Sequence, residues 1–160
     1  MKIGIDTFGC DHARSGFGSY LISCIANIPS DLLDNFELFG SELDRYTYSS
    51  DRPIKFNSVS VFDSLVIERL WHLLKINKFV KKNKYDLVIY PAVERVIPAR
   101  FKVKGVAIVN SILSKQMDKF NLLYKWQLKR GLKKVSKVIA ASNVIKDDLI
   151  NLGVAHSKIT

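Results

Sequence analysis

The sequence predicts an α/β domain in which a parallel β-sheet is covered by helices on both faces. Strand-like and helix-like periodicities alternate along the chain. Several of the predicted strands are continuous apolar runs, as expected for strands that are buried on both faces. The 160 residues have the length of one domain, and a chain of this size buries roughly 68–70% of its unfolded surface.

The first unit runs from an apolar strand over 2–7, through a loop over 8–15, into a helix that opens with Gly16 and Gly18. The helix is predicted from apolar residues at the spacing i, i+3, i+4 and i+7, which are Leu21, Cys24, Ile25 and Ile28. The free N–H groups at a helix N-terminus favour a phosphate or sugar oxygen. We therefore expect the two glycines to face a ligand; the alternative is a tight turn before a helix.

The rest of the chain continues the alternation. The further predicted strands are 36–40, 56–62, 85–90, 103–109 and 137–141. The further predicted helices are 64–82, 112–134 and 142–152, the last with Ser142 as its N-cap. Residues 41–53 are polar and rich in turn formers, which predicts an irregular loop.

Individual side chains give further expectations. Two cysteines do not make a disulfide framework; we expect Cys24 to be buried on the helix stripe, Cys10 to be a plain loop residue and Trp71 to lie in the core. The three histidines share no ligand spacing with cysteines or acidic residues, so no structural metal is predicted.

No run approaches the ~18–20 apolar residues of a membrane span, and the chain opens on a strand rather than a signal peptide. We therefore expect a cytoplasmic location.

The net charge of +10 is unevenly distributed. Eight Lys or Arg and one acidic residue fall within 115–137, and five lysines fall within 75–84. Basic surfaces meet nucleic acid, anionic membranes or phosphorylated ligands. The sequence has no aromatic-basic motif of the RNA-binding kinds, so nucleic acid is not expected. The mixture of apolar and basic residues over 113–134 is typical of an interfacial helix on the inner face of a membrane; the alternative is an ordinary surface helix.

A ligand site is expected at the carboxyl ends of the strands, where parallel sheets bind their ligands. This edge is predicted to be built from the segments 8–18, 40–51, 91–95, 110–114 and 142–143.

The order and spacing of three segments resemble the N-terminal domain of family-4 glycosyltransferases, which are retaining enzymes with two facing Rossmann-like domains (the GT-B fold). The segments are KIGID followed by SGFGSY, then YDLVIYP, and finally SKVIAASNVIKDDLINLGVAHSKIT. The resemblance covers essentially the whole chain and is weakest over 41–63.

The resemblance implies a domain that helps to transfer a sugar from a nucleotide-sugar donor to a polysaccharide or lipid-linked acceptor, with no cofactor. We expect residues 1–160 to be one acceptor-side domain. The second domain, which in this family carries the nucleotide-sugar pocket and a pair of glutamates, is expected to be absent. A separate donor-domain chain or self-association would then complete the cleft. The alternative is a non-catalytic module that binds a sugar, a nucleotide or a partner protein.

The resemblance also assigns site residues. Gly16 and Gly18 would approach the donor phosphates or the acceptor. The first loop often holds acceptors, and it contains Asp11, His12 and Arg14.

Two later loops add candidates. Glu94 and Arg95 would hydrogen-bond an acceptor hydroxyl or phosphate, or else be solvated loop charges. After the strand 103–109 the family usually has a histidine that contacts the transferred sugar, often followed by aspartate; Asn110 and Ser111 occupy these positions here. Asparagine cannot take up a proton near neutral pH. This departure argues against catalysis at Asn110 and leaves a binding role and a loop-capping role open.

Overall fold

The computed structural model describes residues 1–49 and 52–160, and its six strands form one parallel sheet. The strands are β1 (Ile3–Asp6), β2 (Phe36–Gly40), β3 (Lys55–Ser58), β4 (Leu87–Tyr90), β5 (Lys104–Val109) and β6 (Lys137–Ala140). Their order in the sheet is β3-β2-β1-β4-β5-β6. The order reverses beside β1, which makes the fold Rossmann-like and confirms the predicted fold class.

The helices are α1 (Gly16–Ala26), α2 (Glu42–Tyr48), α3 (Leu65–Leu74), α4 (Ile76–Lys82), α5 (Leu122–Lys134) and α6 (Asn143–Asn151). They bury two separate apolar clusters against the sheet. Neighbouring residues of β2 divide between the clusters: Leu38 packs with Leu21 and Ile25 of α1, and Phe39 packs with Trp71 of α3. This alternation shows a sheet with helices on both faces.

Helix α2 replaces part of the irregular loop that the polar composition of 41–53 predicts. A capping box starts the helix: the Asp44 N–H donates to Ser41 Oγ, and the Ser41 N–H donates to Asp44 Oδ2, each at 3.2 Å. Residues 50 and 51 of the predicted loop lie outside the described residues.

Two helices predicted as continuous are interrupted. The 64–82 helix divides at Lys75, beyond which the Asn77 side chain bonds to Arg100 and Lys102 and fixes α4 separately. Within 112–134, a 3₁₀ turn over Ser114–Lys119 precedes α5, whose first turn is capped by the Asn121 side chain at 2.8 Å from the Tyr124 nitrogen. The strand predicted over 56–62 corresponds to β3, which is shorter than predicted and lies slightly earlier in the chain, at Lys55–Ser58.

The prediction that Cys24 is buried is wrong, whereas Cys10 lies in the loop after β1, as predicted. Cys24 is only half-buried, because Leu21 and Ile25 occupy the inward side of α1. Cys10 is fully buried, because the loop after β1 folds back beneath α1. Trp71 is buried in the core, as predicted.

The loop after β1 contains three successive residues with left-handed backbone: Asp11 (φ 55°), His12 (φ 49°) and Ala13 (φ 64°). Non-glycine residues rarely adopt this conformation. The turn lies so close to α1 that a Cβ on Gly18 would be 2.3 Å from Ala13 Cα. Gly18 is therefore required by packing, whereas a Cβ on Gly16 would meet nothing within 4 Å.

The two glycines of α1 should respond oppositely to alanine. Gly18→Ala should lower the free energy of unfolding by about 1–3 kcal/mol, because the added methyl overlaps rigid backbone. Gly16→Ala, the matched control, should cost nothing, since its methyl enters open space. Urea denaturation of both variants measures the difference, and equal stabilities would contradict the close contact between the turn and the helix.

Candidate functional site

A cleft of about 80 Å³ opens at the carboxyl edge of the sheet, between the loop after β1 and the start of α3. Its charged lining residues come from five segments: Asp11, His12, Asp44, Asp63, Glu68 and Arg95. Three of these, Asp11, His12 and Arg95, are predicted site residues. The other three are not found by the sequence reasoning.

A buried acid–histidine pair lies beside the cleft. Asp6 Oδ2 is 2.6 Å from His72 Nε2, and both side chains are at most 1% exposed. The His72 Nδ1 donates to the Glu68 carbonyl at 2.6 Å, and Asp6 Oδ1 accepts from the Phe8 N–H. The pair therefore joins the central strand β1 to α3 and fixes the loop that begins at Thr7.

Burial and charge act in opposite directions on this pair. Burial raises the pKa of Asp6, because the charged carboxylate is poorly solvated there. Burial alone would lower the pKa of His72, but the Asp6 carboxylate and Glu68 together raise that pKa above its ordinary value.

His12 is held between two acidic side chains. Its Nδ1 lies 2.8 Å from Asp44 Oδ1, and its Nε2 lies 3.4 Å from Asp63 Oδ2. Asp44 is itself fixed by Thr7, whose hydroxyl donates to Oδ2 at 2.8 Å. The imidazole is thus oriented from behind by a buried carboxylate and faces the cleft.

Arg95 lies on the opposite side of the cleft, 3.7 Å from Asp11. The loop that carries it is irregular, and side chains of α3 and α5 bind its carbonyls. Arg69 Nε donates to the Arg95 carbonyl at 2.8 Å, and the Tyr124 hydroxyl donates to the Val93 carbonyl at 2.7 Å. Helices α3 and α5 therefore hold the loop in place.

Glu94 belongs to a second polar group, outside the cleft lining. Its Oε1 accepts from the Asn110 N–H at 2.9 Å and from the Ser111 hydroxyl at 3.0 Å. Its Oε2 is buried with no hydrogen-bond partner among the described residues. Burial raises the pKa of Glu94, although these hydrogen bonds oppose the shift. The solvated alternative for Glu94 is wrong: its carboxylate ties the loop after β4 to the loop after β5.

The remaining predicted residues lie outside the lining of the cleft. Gly16 is exposed at the start of α1, and Arg14 is exposed in the loop before it. Asn110 and Ser111 are half-buried at the same sheet edge as Glu94. Across the described ranges 1–49 and 52–160, no three His, Cys, Asp or Glu side chains are grouped as metal ligands would be.

The sequence carries one signal for a residue that the reasoning missed. Ser41 and Asp44 have the spacing of a capping box, which would have indicated α2 and placed Asp44 in its first turn. The contacts of Asp44 with His12 and of Asp6 with His72 join residues 32 and 66 positions apart. No local pattern indicates such pairs.

A family model described as Glycosyltransferase Family 4 matches residues 36–160. This range contains the strands β2 to β6 and all of the residues that line the cleft except those in the loop after β1. The chain belongs to Glycosyltransferase Family 4. The resemblance stated from the sequence is thereby confirmed. A search of curated proteins finds no match to this Family 4 chain.

Solved structures share the fold at low sequence identity. A lipopolysaccharide outer core galactosyltransferase, WaaB in its apo form, matches with a TM-score of 0.55 and 14% identity over 100% of this chain and 44% of its own. A UDP-GlcNAc 2-epimerase from Methanocaldococcus jannaschii matches with a TM-score of 0.55 and 15% identity, over 100% and 45%. The Family 4 chain therefore spans less than half the length of these proteins, and its fold is equivalent to the N-terminal half of a GT-B enzyme.

Proposed function

We propose that this domain forms the acceptor side of a glycosyltransferase cleft. It would act in the transfer of a sugar from a nucleotide-sugar donor to a polysaccharide or lipid-linked acceptor, together with a donor domain. The observation that carries the proposal is the polar cleft at the carboxyl edge of the sheet in a Family 4 chain. Parallel α/β sheets bind their ligands at this edge.

The cleft has the chemistry of a sugar-hydroxyl site. Asp11 and Asp63 offer carboxylate oxygens as acceptors, and Arg95 offers guanidinium donors. Sugars present several hydroxyls, each both a donor and an acceptor, so mixed polar groups on several walls suit them. Gly16 lies outside the lining of the cleft, at the start of α1, and would offer a bare stretch of backbone to the donor or acceptor, because open space surrounds the position of its missing side chain.

Glu94 and Asn110 belong to a polar group outside the cleft, and we propose that this group forms a second subsite, which would contact the donor sugar. The resemblance places a sugar-contacting histidine at the position of Asn110, which here cannot exchange a proton near neutral pH. We propose that Asn110 and Ser111 contribute hydrogen bonds only. This departure also favours the second candidate, a binding module without catalysis, and an assay for transfer separates the two.

The isolated chain should transfer no sugar, because transfer needs donor and acceptor held together beside positive groups that stabilise the leaving diphosphate. The assay incubates the chain with nucleotide sugars and lipid-linked acceptors, with and without a Family 4 donor domain. Transfer is expected only in the reconstituted assembly, and Gly16→Val should abolish it by blocking backbone approach.

Ser23→Val is the matched control for Gly16→Val, since Ser23 is exposed farther along α1 and should tolerate the change. Turnover by the chain alone at roughly 1 per second or faster would contradict the assignment of this chain to the acceptor side. Full activity of Gly16→Val would contradict the proposed role of Gly16.

The membrane contact expected over 113–134 becomes a proposal about one face of α5. Tyr124 and Leu128 from the apolar stripe are buried in the core and cannot reach lipid. Leu122 and Trp126, however, are 83% and 47% exposed. Basic side chains share α5 with them: Lys125, Lys129, Arg130, Lys133 and Lys134. No helix among the described residues is long and apolar enough to cross a membrane.

Binding of the chain to anionic vesicles should fall with added salt, because the Debye length shrinks from ~10 Å at 0.1 M to ~3 Å at 1 M. Changing Lys129, Arg130, Lys133 and Lys134 to Gln should weaken binding. The control makes the same four-charge change in the other basic cluster, at Lys75, Lys78, Lys81 and Lys82, and should weaken it less. Sedimentation with phosphatidylglycerol vesicles measures the effect, and equal binding to neutral vesicles would contradict the proposal.

A further inference from the structure

The outward face of α3 is apolar, which reverses the pattern of an ordinary surface helix. The exposed residues of α3 are Val66, Ile67, Leu70 and Leu74, and Leu74 is 72% exposed. Residues 66, 70 and 74 are four positions apart and therefore form one stripe along the helix. A surface helix of a globular protein places charged and polar residues on this side.

The polar residues of α3 are turned toward other parts of the domain. Glu68 lines the polar cleft, and His72 is paired with buried Asp6. The Arg69 guanidinium carbon lies 3.6 Å from the centre of the Tyr124 ring of α5. The outer stripe is therefore left without a charge, and contiguous exposed apolar surface of this kind marks a place that another molecule covers.

A groove of about 270 Å³ runs along this stripe. Leu70 and Leu74 line the side formed by α3, and Val61 and Phe62 line the side formed by the segment after β3. Among the described residues that line the groove, Lys75 is the one charged side chain. A hydrocarbon chain suits such a lining, because it brings no polar group that would lose its hydrogen bonds there.

The groove and the polar cleft share one wall. Phe62 lines the groove, and the next residue, Asp63, lines the cleft. On α3, Ile67 lines the groove and the next residue, Glu68, lines the cleft. Consecutive Cα atoms are about 3.8 Å apart, so a molecule with its polar head in the cleft can place a directly attached chain in the groove.

The groove also belongs to the layer of helices that carries the proposed membrane face. The Gln127 side chain of α5 donates to the Arg69 carbonyl of α3 at 3.1 Å. Trp71 of α3 and Leu128 of α5 pack in the same apolar cluster. Helices α3 and α5 therefore cover the same face of the sheet, and a lipid that rises from a membrane beside α5 meets α3.

We propose that this groove binds the lipid chain of a lipid-linked acceptor whose polar head occupies the cleft. The inference rests on the proposed function and selects the lipid-linked acceptor of its two acceptor classes, because a polysaccharide has no apolar chain to fill the groove. The groove would raise the affinity for the acceptor without taking part in the chemistry of transfer.

The first test uses the isolated chain and alkyl glucosides below their critical micelle concentrations. Affinity should rise about two- to fourfold for each methylene from hexyl to decyl glucoside, because each added methylene leaves water for the groove. Isothermal titration calorimetry measures the affinities. In ¹H–¹⁵N correlation spectra, decyl glucoside should shift residues 60–62 and 66–75 in addition to those that methyl glucoside shifts.

A double variant and a matched control test the position of the chain. Leu70→Gln combined with Leu74→Gln should lower the affinity for decyl glucoside about tenfold or more, because two apolar contacts are lost. Both side chains are exposed, so the fold should persist. Leu32→Gln makes the same exchange at a leucine that is 44% exposed before β2, at the opposite edge of the sheet, and should leave the affinity unchanged.

Three results would overturn the inference. Equal affinities for hexyl and decyl glucoside would show that the groove takes no chain, and an equal loss in Leu32→Gln would show that binding is not local to the groove. A wild-type dimer that the double variant dissociates, without any effect of chain length, would show that the groove is a contact between two copies of this chain.

The reconstituted assembly separates this inference from the proposed function. With a lipid-linked acceptor, the double variant should raise KM about tenfold, because the groove contributes binding that is equal in the ground state and the transition state. An active assembly whose KM does not respond would overturn the groove and leave the proposed function standing. A wild-type assembly that transfers nothing, although affinity still rises with chain length, would contradict the proposed function and with it the assignment of the chain to an acceptor.

Discussion

The candidate site depends on one strained feature, the left-handed turn Asp11–Ala13. Residues held in such conformations cost roughly 1–3 kcal/mol each. Contacts on three sides maintain the turn: Tyr48 accepts the Ala13 N–H, Asp44 binds the His12 ring, and Gly18 leaves room for Ala13. Without these contacts the loop would be expected to relax, and Asp11 and His12 would leave the cleft.

Other loops around the cleft are also held in place by hydrogen bonds to polar side chains beneath them. The Asp6–His72 pair fixes the end of β1, and helices α3 and α5 bind the carbonyls on either side of Glu94. Low surrounding polarity strengthens such hydrogen bonds and makes an unpaired group costly. The result is a set of loops whose positions follow from the packed layers beneath them.

The sequence predicts the layers of this fold better than its site. Apolar periodicity identifies β1, β2, β4, β5 and β6, because each of these strands is a short run of mainly apolar residues that buries side chains against the helices. It misses α2, since only one side of that short helix is buried and its composition is polar. It also places Cys24 in the core and gives no sign that Cys10 is buried, because the path of the loop after β1 is decided by contacts with α1 and α2.

The site residues likewise include some that the sequence predicts and some that it misses. Asp11, His12 and Arg95 are found because the carboxyl ends of parallel strands meet at one edge. Asp44 and Glu68 are missed, since helical positions give no sign of which residues turn toward that edge. Glu94 is found for its position, but its buried bonding to Asn110 and Ser111 depends on how two loops meet.

The central claim is that sugars bind in the cleft between the left-handed turn and α3. A titration of the ¹⁵N-labelled chain with methyl glycosides and nucleotide sugars, followed by ¹H–¹⁵N correlation spectra, tests it most directly. The account predicts shifts concentrated in residues 9–16, 63–68 and 94–95. Shifts confined to the opposite edge of the sheet, around Asp34 to Glu37 and Lys55, or no shifts with any sugar, would contradict it.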